Sequence, residues 1–188
     1  MTDLLHKPTI IGDRVILRPF EPGDIPYMEQ CLRDPEVIRL TGSDEVYDSE
    51  VIVRWYSTRN EQADRLDLAI VDRSADVVVG EVVVNEHDPV KHSMNYRILI
   101  GPRGRNRGLG TEATLLIRDY MFQNTDLKQL TLSVFAFNPR AQRVYEKTGF
   151  VLESVEEGAL EDDGKLIDSY NMVLTRERWE KLKEAGGV

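Results

Sequence analysis

The run Ile98-Leu99-Ile100-Gly101-Pro102-Arg103-Gly104-Arg105-Asn106-Arg107-Gly108-Leu109-Gly110-Thr111-Glu112-Ala113 sets four glycines and three arginines between an apolar stretch and the start of a helical pattern. Glycine lets the backbone turn so that several N–H groups converge, and a helix N-terminus adds a positive dipole end. Together they make an anion site suited to phosphate. Arg103, Arg105 and Arg107 concentrate positive charge there, in a chain whose formal charge is -9. A Walker A loop would need Lys followed by Ser or Thr after its second glycine, and this segment has no such pair. Gly108-Leu109-Gly110-Thr111-Glu112-Ala113 does fit the dinucleotide pattern G-x-G-x-x-A. However, a dinucleotide-binding turn puts its first glycine at the strand end, and here seven residues separate Ile100 from Gly108. It also wants an acid about 20 residues on, where this chain runs Phe135-Ala136-Phe137-Asn138. The pattern therefore favours a pyrophosphate held by main-chain amides over a dinucleotide.

Other reactive residue types are sparse. Cys31 is the sole cysteine, so no intrachain disulfide can form, and it reads as a small buried apolar residue on a helix. His6, His87 and His92 do not fall at metal-ligand spacing with other candidate ligands, so no metal is expected. The negative charge argues against nucleic acid, which needs a basic face, and fits an amine-bearing partner. No apolar run reaches the roughly 18 residues of a membrane span, and the N-terminus does not read as a signal peptide. The expected location is the cytoplasm. With 188 residues, 41% hydrophobic and 30% charged, the chain reads as one domain over 1–188.

The elements that must position the loop follow from periodicity and punctuation. Arg14 to Pro19 alternates as a strand; Pro22-Gly23-Asp24 is a turn, with Asp24 the N-cap of a helix to about Arg33. A second helix starts near Asp48 or Ser49. Leu66 to Asp72 and Val77 to Val84 form a hairpin, Asp88-Pro89 breaks the chain, and Ser93 to Ile100 is the strand entering the loop. A helix from about Gly108 to Phe122 follows, with Ala113, Leu116, Ile117 and Tyr120 on its buried side. Leu130 to Phe137, Phe150 to Glu156 and Leu166 to Thr175 are strands, Pro139 to Thr148 is a helix, and Trp179 and Leu182 sit in a short last helix. This order predicts an α/β fold of the α+β mixed kind, a mixed sheet flanked by helices.

The residues resemble the GNAT superfamily of N-acetyltransferases. Arg105-Asn106-Arg107-Gly108-Leu109-Gly110 matches its acetyl-CoA loop, Q/R-x-x-G-x-G/A. Asn138, Ala141, Tyr145, Lys147, Gly149 and Phe150 match its second signature, N-x-x-A-x-x-x-Y-x-K-x-G-F. Arg14 to Pro19 and Asp34-Pro35-Glu36-Val37 resemble the branch that acetylates ribosomal-protein N-termini. The resemblance implies a GNAT-like acyl-CoA N-acyltransferase fold whose splayed mixed sheet receives the thioester between two central strands. It implies acetyl-CoA as co-substrate, with Ile98, Leu99 and Ile100 pairing with its pantetheine amides. Backbone from Arg103 through Arg105, Asn106, Arg107, Gly108, Leu109 and Gly110 to Thr111 would clamp the pyrophosphate, the three arginines serving as phosphate partners. Asn138 and Arg143 would also contact the cofactor. A homodimer is the implied assembly.

Amine acetylation needs a neutral nucleophile, a polarised carbonyl and a proton for the departing thiolate. The resemblance places Tyr145 beside the sulfur as proton donor, and packing of its helix on the sheet is its other role. Relatives in the branch carry a glutamate on the strand before the loop, and here Asn95 stands in its place. An amide cannot take a proton at neutral pH; Glu81 and Glu86, on or beside the preceding strand, are the candidate bases, acting through water, and an ordinary exposed acid is the other reading of each. Without a strong base the acceptor should be an α-amine, neutral roughly one time in ten at pH 7, rather than a lysine, neutral about once in a few thousand. Acceptors in view are a peptide N-terminus or a small cationic amine such as a polyamine, drawn by the acidic segment Glu156-Glu157 and Glu161-Asp162-Asp163, read as a turn. A domain that binds acyl-CoA without catalysis is the alternative that Asn95 raises.

Overall fold

A computed structural model describes residues 3–43 and 46–186. Among them, eight strands form one sheet: β1 (Ile10–Ile11), β2 (Val15–Arg18), β3 (Leu66–Asp72), β4 (Val77–Asp88), β5 (Ser93–Ile100), β6 (Gln129–Phe135), β7 (Val151–Asp162) and β8 (Lys165–Thr175). The spatial order is β1-β2-β3-β4-β5-β6-β8-β7, antiparallel everywhere except between β5 and β6. With helices α1 (Ile25–Leu32), α2 (Pro35–Thr41), α3 (Ser49–Thr58), α4 (Leu109–Asn124), α5 (Pro139–Lys147) and α6 (Arg176–Glu184), this is the mixed α/β architecture the sequence predicts.

Strand alternation sorts the side chains into two cores. Leu68, Ile70, Val82, Val84, Met94 and Tyr96 face the buried stripe of α4, where Leu109, Ala113, Ile117 and Met121 recur every four residues. On the opposite face Ala69, Val78 and Leu99 pack with Met28, Ile52 and Tyr56 from α1 and α3. Each large side chain so buried contributes about 1.5–3 kcal/mol against the unfolded chain. Cys31 belongs to the buried side of α1.

Several boundaries differ from the sequence reading. The short α2 was not anticipated, although its ends are well marked. The Asp34 carboxylate accepts from the Val37 amide at 3.1 Å, Pro35 opens the helix, and Gly42 closes it at φ +63°. The two-residue β1 was also unforeseen. Asp24 does precede α1, but its carboxylate does not cap the helix; it accepts from the Glu21 amide at 2.8 Å and from both terminal nitrogens of Arg18. β4 runs past Val84 to Asp88 because it continues to pair with β5 through an irregular stretch between Asn85 and Asp88. The acidic segment is a strand rather than a turn. β7 extends to Asp162 by pairing with β8 across a register shift between Glu156 and Leu160, near Gly158 at φ +63°.

The pairing that positions the site is the one that fails. β5 and β6 pair only at Ser93–Gln129, Met94–Leu130 and Asn95–Thr131. Beyond Asn95 they diverge, β5 staying with β4 as far as Ile100 and β6 staying with β8 as far as Phe135. A wedge opens in the middle of the sheet.

Candidate active site

Two cavities lie on either side of β5. The first, of about 390 Å³, fills the wedge, with Tyr96 to Ile100 on one wall and Ser133 to Phe135 on the other. Because the strands have parted, main-chain N–H and C=O groups of β5 on this edge have no strand partner and can bond an extended ligand with amides of its own. The outer end of the wedge is the glycine-bearing loop. Asn106 (φ +60°) and Gly108 (φ +72°) take left-handed backbone that turns the chain into α4. A Cβ at Gly108 would meet only the movable end of the Arg14 side chain, at 2.6 Å, so it is the left-handed backbone that favours glycine there. The first intrahelical bond runs from the Glu112 amide to the Gly108 carbonyl, leaving the amides of Leu109, Gly110 and Thr111 ahead of it to face an anion.

The arginines are arranged differently from the expectation. Arg103 stacks over Tyr27, 3.4 Å from the ring centroid, and donates to the Val78 carbonyl. Arg105 pairs with Asp34 and Glu36, each at 2.6 Å, and Arg107 with Asp72 at 2.6 Å. All three guanidinium groups are thus held by the protein: Arg103 braces the loop against α1 and β4, Arg105 against the start of α2, and Arg107 against β3. Arg105 and Asn106 line the wedge; Arg103 and Arg107 do not. Arg143 is exposed on α5 and lines neither cavity. Asn138 does line the wedge, but its side-chain oxygen accepts from the Ala141 amide as the N-cap of α5.

Tyr145 sits at the inner end of the wedge, 6% exposed. Its ring meets Tyr96 and Phe150 edge-on, with centroids 6.3 and 6.0 Å away, and the Tyr96 hydroxyl is tied to Thr114 at 2.9 Å. Burial pushes the Tyr145 hydroxyl well above its usual range, so the phenol keeps its proton. Tyr145 packs α5 on the sheet, and its protonated phenol belongs to the lining of the wedge.

The second cavity, of about 650 Å³, opens on the opposite face among α2, α3, β3, β4 and β5. Glu81 lies in its wall. Burial and the nearby Asp67 raise the Glu81 carboxyl to about 7, while Arg97, the Tyr56 hydroxyl and Arg59 work against the shift. A carboxyl poised at that value can take up a proton at neutral pH. Asp67 is itself gripped by Arg65, at 2.6 and 2.8 Å, and by Arg59 at 3.6 Å. The aromatic wall comprises Tyr47, Trp55 and Tyr56. Glu86 and Asn95 are not brought to this point: Glu86 is exposed in the irregular part of β4 at φ +55°, and neither lines a cavity.

Val37 and Thr41 of α2 and Arg97, Ile98 and Leu99 of β5 line both cavities, so the two meet across β5. Tyr56, Arg59, Asp67, Tyr96 and Arg97 were missed in the sequence. The available signal was Glu81 itself, a lone carboxylate inside Val77-Val78-Val79-Gly80-Glu81-Val82-Val83-Val84. Among the described residues, no group of three or more His, Cys, Asp or Glu side chains could hold a metal ion, and no helix is long and apolar enough to cross a membrane.

Comparison with known proteins agrees with this geometry. Residues 14–151 match the family described as the acetyltransferase (GNAT) domain. The chain is 31% identical over 141 residues to a spermidine N(1)-acetyltransferase of Escherichia coli (strain K12), covering 74% of each. It is 24% identical over 148 residues to an N-acetyltransferase 9-like protein of Caenorhabditis briggsae, covering 73% of this chain and 74% of that one. The crystal structure of spermidine N-acetyltransferase from Vibrio cholerae in complex with CoA and spermine superposes with a TM-score of 0.81 at 20% identity, covering 90% of this chain and 99% of the other.

Proposed function

The chain belongs to the acetyltransferase (GNAT) family, and from that premise we propose that it acetylates the α-amine of a peptide or protein N-terminus. GNAT enzymes draw the acetyl group from acetyl-CoA, whose thioester supplies an activated acyl carbon. The wedge fits this donor: strand-edge amides from Arg97 to Ile100 suit its pantetheine arm, and the first turn of α4 suits its pyrophosphate. Glu81 takes the proton that the attacking amine must lose. Tyr145 donates its hydroxyl hydrogen toward the departing sulfur, and the acetyl group passes directly, without a covalent enzyme intermediate.

The observation that carries this reading is the place of Glu81 in the wall of the second cavity, opposite Leu99 of β5 and one strand away from the wedge, where burial raises its carboxyl to about 7. β4 thereby supplies the carboxylate that Asn95 denies β5. Even with this base, proton matching favours an α-amine. Transfer from an α-ammonium of pKa near 8 to such a base is uphill by about one unit, roughly 1.4 kcal/mol, whereas a lysine-type ammonium near 10.4 asks for more than three. Initial rates of thiol release on two matched peptides test it, one blocked at its N-terminus and carrying lysine, the other free at its N-terminus and lacking lysine. Faster turnover of the lysine peptide would overturn it. The identity to a spermidine acetyltransferase favours a second reading, a polyamine acceptor, and spermidine belongs in the same assay.

A homodimer also belongs to this proposal. β7 pairs on one side only and leaves Leu152 and Val155 exposed at the sheet edge. Light scattering at micromolar concentration should give about twice the 21.5 kDa chain mass; the monomer mass would remove the dimer.

A further inference from the structure

The chain as a whole is acidic, yet among the described residues the wall of the Glu81 cavity is not. The charged residues described there are Arg59, Arg65 and Arg97 against Asp67 and Glu81. Asp67 is fully engaged by Arg65 and Arg59, and Glu81 is partly protonated near neutrality. The remaining cation is Arg97. Among the described residues its guanidinium makes no hydrogen bond or ion pair, in contrast to Arg103, Arg105 and Arg107 of the neighbouring loop. It lies on β5 in the lining of both cavities, and it is the foremost charge drawing the Glu81 carboxyl down. The acidic stretch of β7 cannot offset this. Glu156, Glu157, Glu161 and Asp162 line neither cavity, and Asp162 is tied to Arg39 at 3.0 Å.

We propose that the acceptor carries a carboxylate close to its reactive amine, and that Arg97 is the residue that selects it. This rests on the acetyltransferase reading above and narrows its substrate class. A guanidinium with all its N–H donors free, set at the junction of the cavities, offers a carboxylate a charge-assisted and bidentate partner. Holding an acceptor by its anionic group would leave the adjacent amine between Glu81 and the wedge. A polyamine, by contrast, would bring several positive charges into a wall that already holds three guanidinium groups. Two sources supply the required chemistry: a free α-amino acid, or a peptide whose first residue is acidic.

Two matched pairs distinguish these sources: a peptide beginning with Asp against the same peptide beginning with Asn, and phenylalanine against phenylalaninamide. The carboxylate member of at least one pair should be favoured by about tenfold or more in kcat/KM, the scale of one charge-assisted hydrogen bond. The preferred pair identifies the source. Arg97→Gln should bring that ratio to within about threefold of unity, and Arg97→Lys should keep part of it. Acetyl-CoA binding, followed by calorimetry, enters both members of a pair alike and so leaves the ratio unaffected. The ratio is the readout because removing Arg97 also alters the proton affinity of Glu81, which affects both members alike. Equal rates within both pairs, a ratio that survives Arg97→Gln, or spermidine outpacing every carboxylate-bearing acceptor would overturn the proposal. If neutral peptides are acetylated as fast as acidic ones, only the choice of acceptor falls. If no α-amine is acetylated although acetyl-CoA binds, the enzymatic reading falls with it.

Discussion

The two cavities flanking β5 are built by different means. The wedge is made chiefly of backbone: a strand pairing that stops after Asn95, two left-handed residues at Asn106 and Gly108, and three helix-start amides. Its arginines are spent on bracing the loop. The Glu81 cavity is made of side chains, with each working group delivered by a different element: Tyr56 by α3, Asp67 by β3, Glu81 by β4 and Arg97 by β5. A backbone site suits a ligand that many relatives share. A side-chain site can be retuned one residue at a time, as acceptor choice requires.

The contrast makes Glu81→Gln the most damaging single change. It should lower kcat by about 10² to 10⁴ at pH 7 with acetyl-CoA affinity preserved; an unchanged rate would move the base elsewhere. The same substitution should stabilise the fold at high pH. The folded carboxyl stays protonated to about 7 whereas the unfolded one releases its proton near 4.5. Between those values the folded state binds more protons, so this group's stability is present below 4.5 and lost as pH rises to 7. Denaturant unfolding should therefore show Glu81→Gln gaining on the order of 3 kcal/mol over wild type at pH 8 and little at pH 4. In the rate profile, wild-type kcat/KM should climb as pH passes about 7, and Glu81→Gln should lack that limb.

Smaller effects sharpen the wedge side. Tyr145→Phe should cut kcat by roughly 10- to 100-fold with little change in cofactor affinity; equal rates would leave Tyr145 with packing alone. Gly108→Val puts a β-branched residue at φ +72° against Arg14 and should weaken acetyl-CoA binding by about tenfold, read by calorimetry. Arg107→Gln removes a guanidinium already bound to Asp72, so the affinity loss should be about threefold or less. A larger loss would show that Arg107 leaves Asp72 for the phosphates.

Much of the wedge was legible in the chain because its cues are local. Gly108 and Gly110, the Asn138 cap and the i, i+4 stripe of α4 act within a few residues of themselves, and their spacing predicts the loop, the helix and the anion site. The misread segments depended on partners. Glu156 to Asp162 looks like a turn by composition and becomes a strand because β8 pairs with it. The arginines look like free phosphate arms until Asp34, Glu36 and Asp72, distant in sequence, take them up.

The sequence by itself determined the order of the main strands and helices, the glycine turn into α4 and the place of Tyr145 on α5, since backbone conformation and periodicity are short-range properties. Only the tertiary structure decided that the Glu81 carboxyl is raised toward neutrality and that Arg97 lines both cavities. Proton affinity depends on burial and on charges a few ångströms away, and those neighbours come from strands and helices that meet only once the sheet has closed.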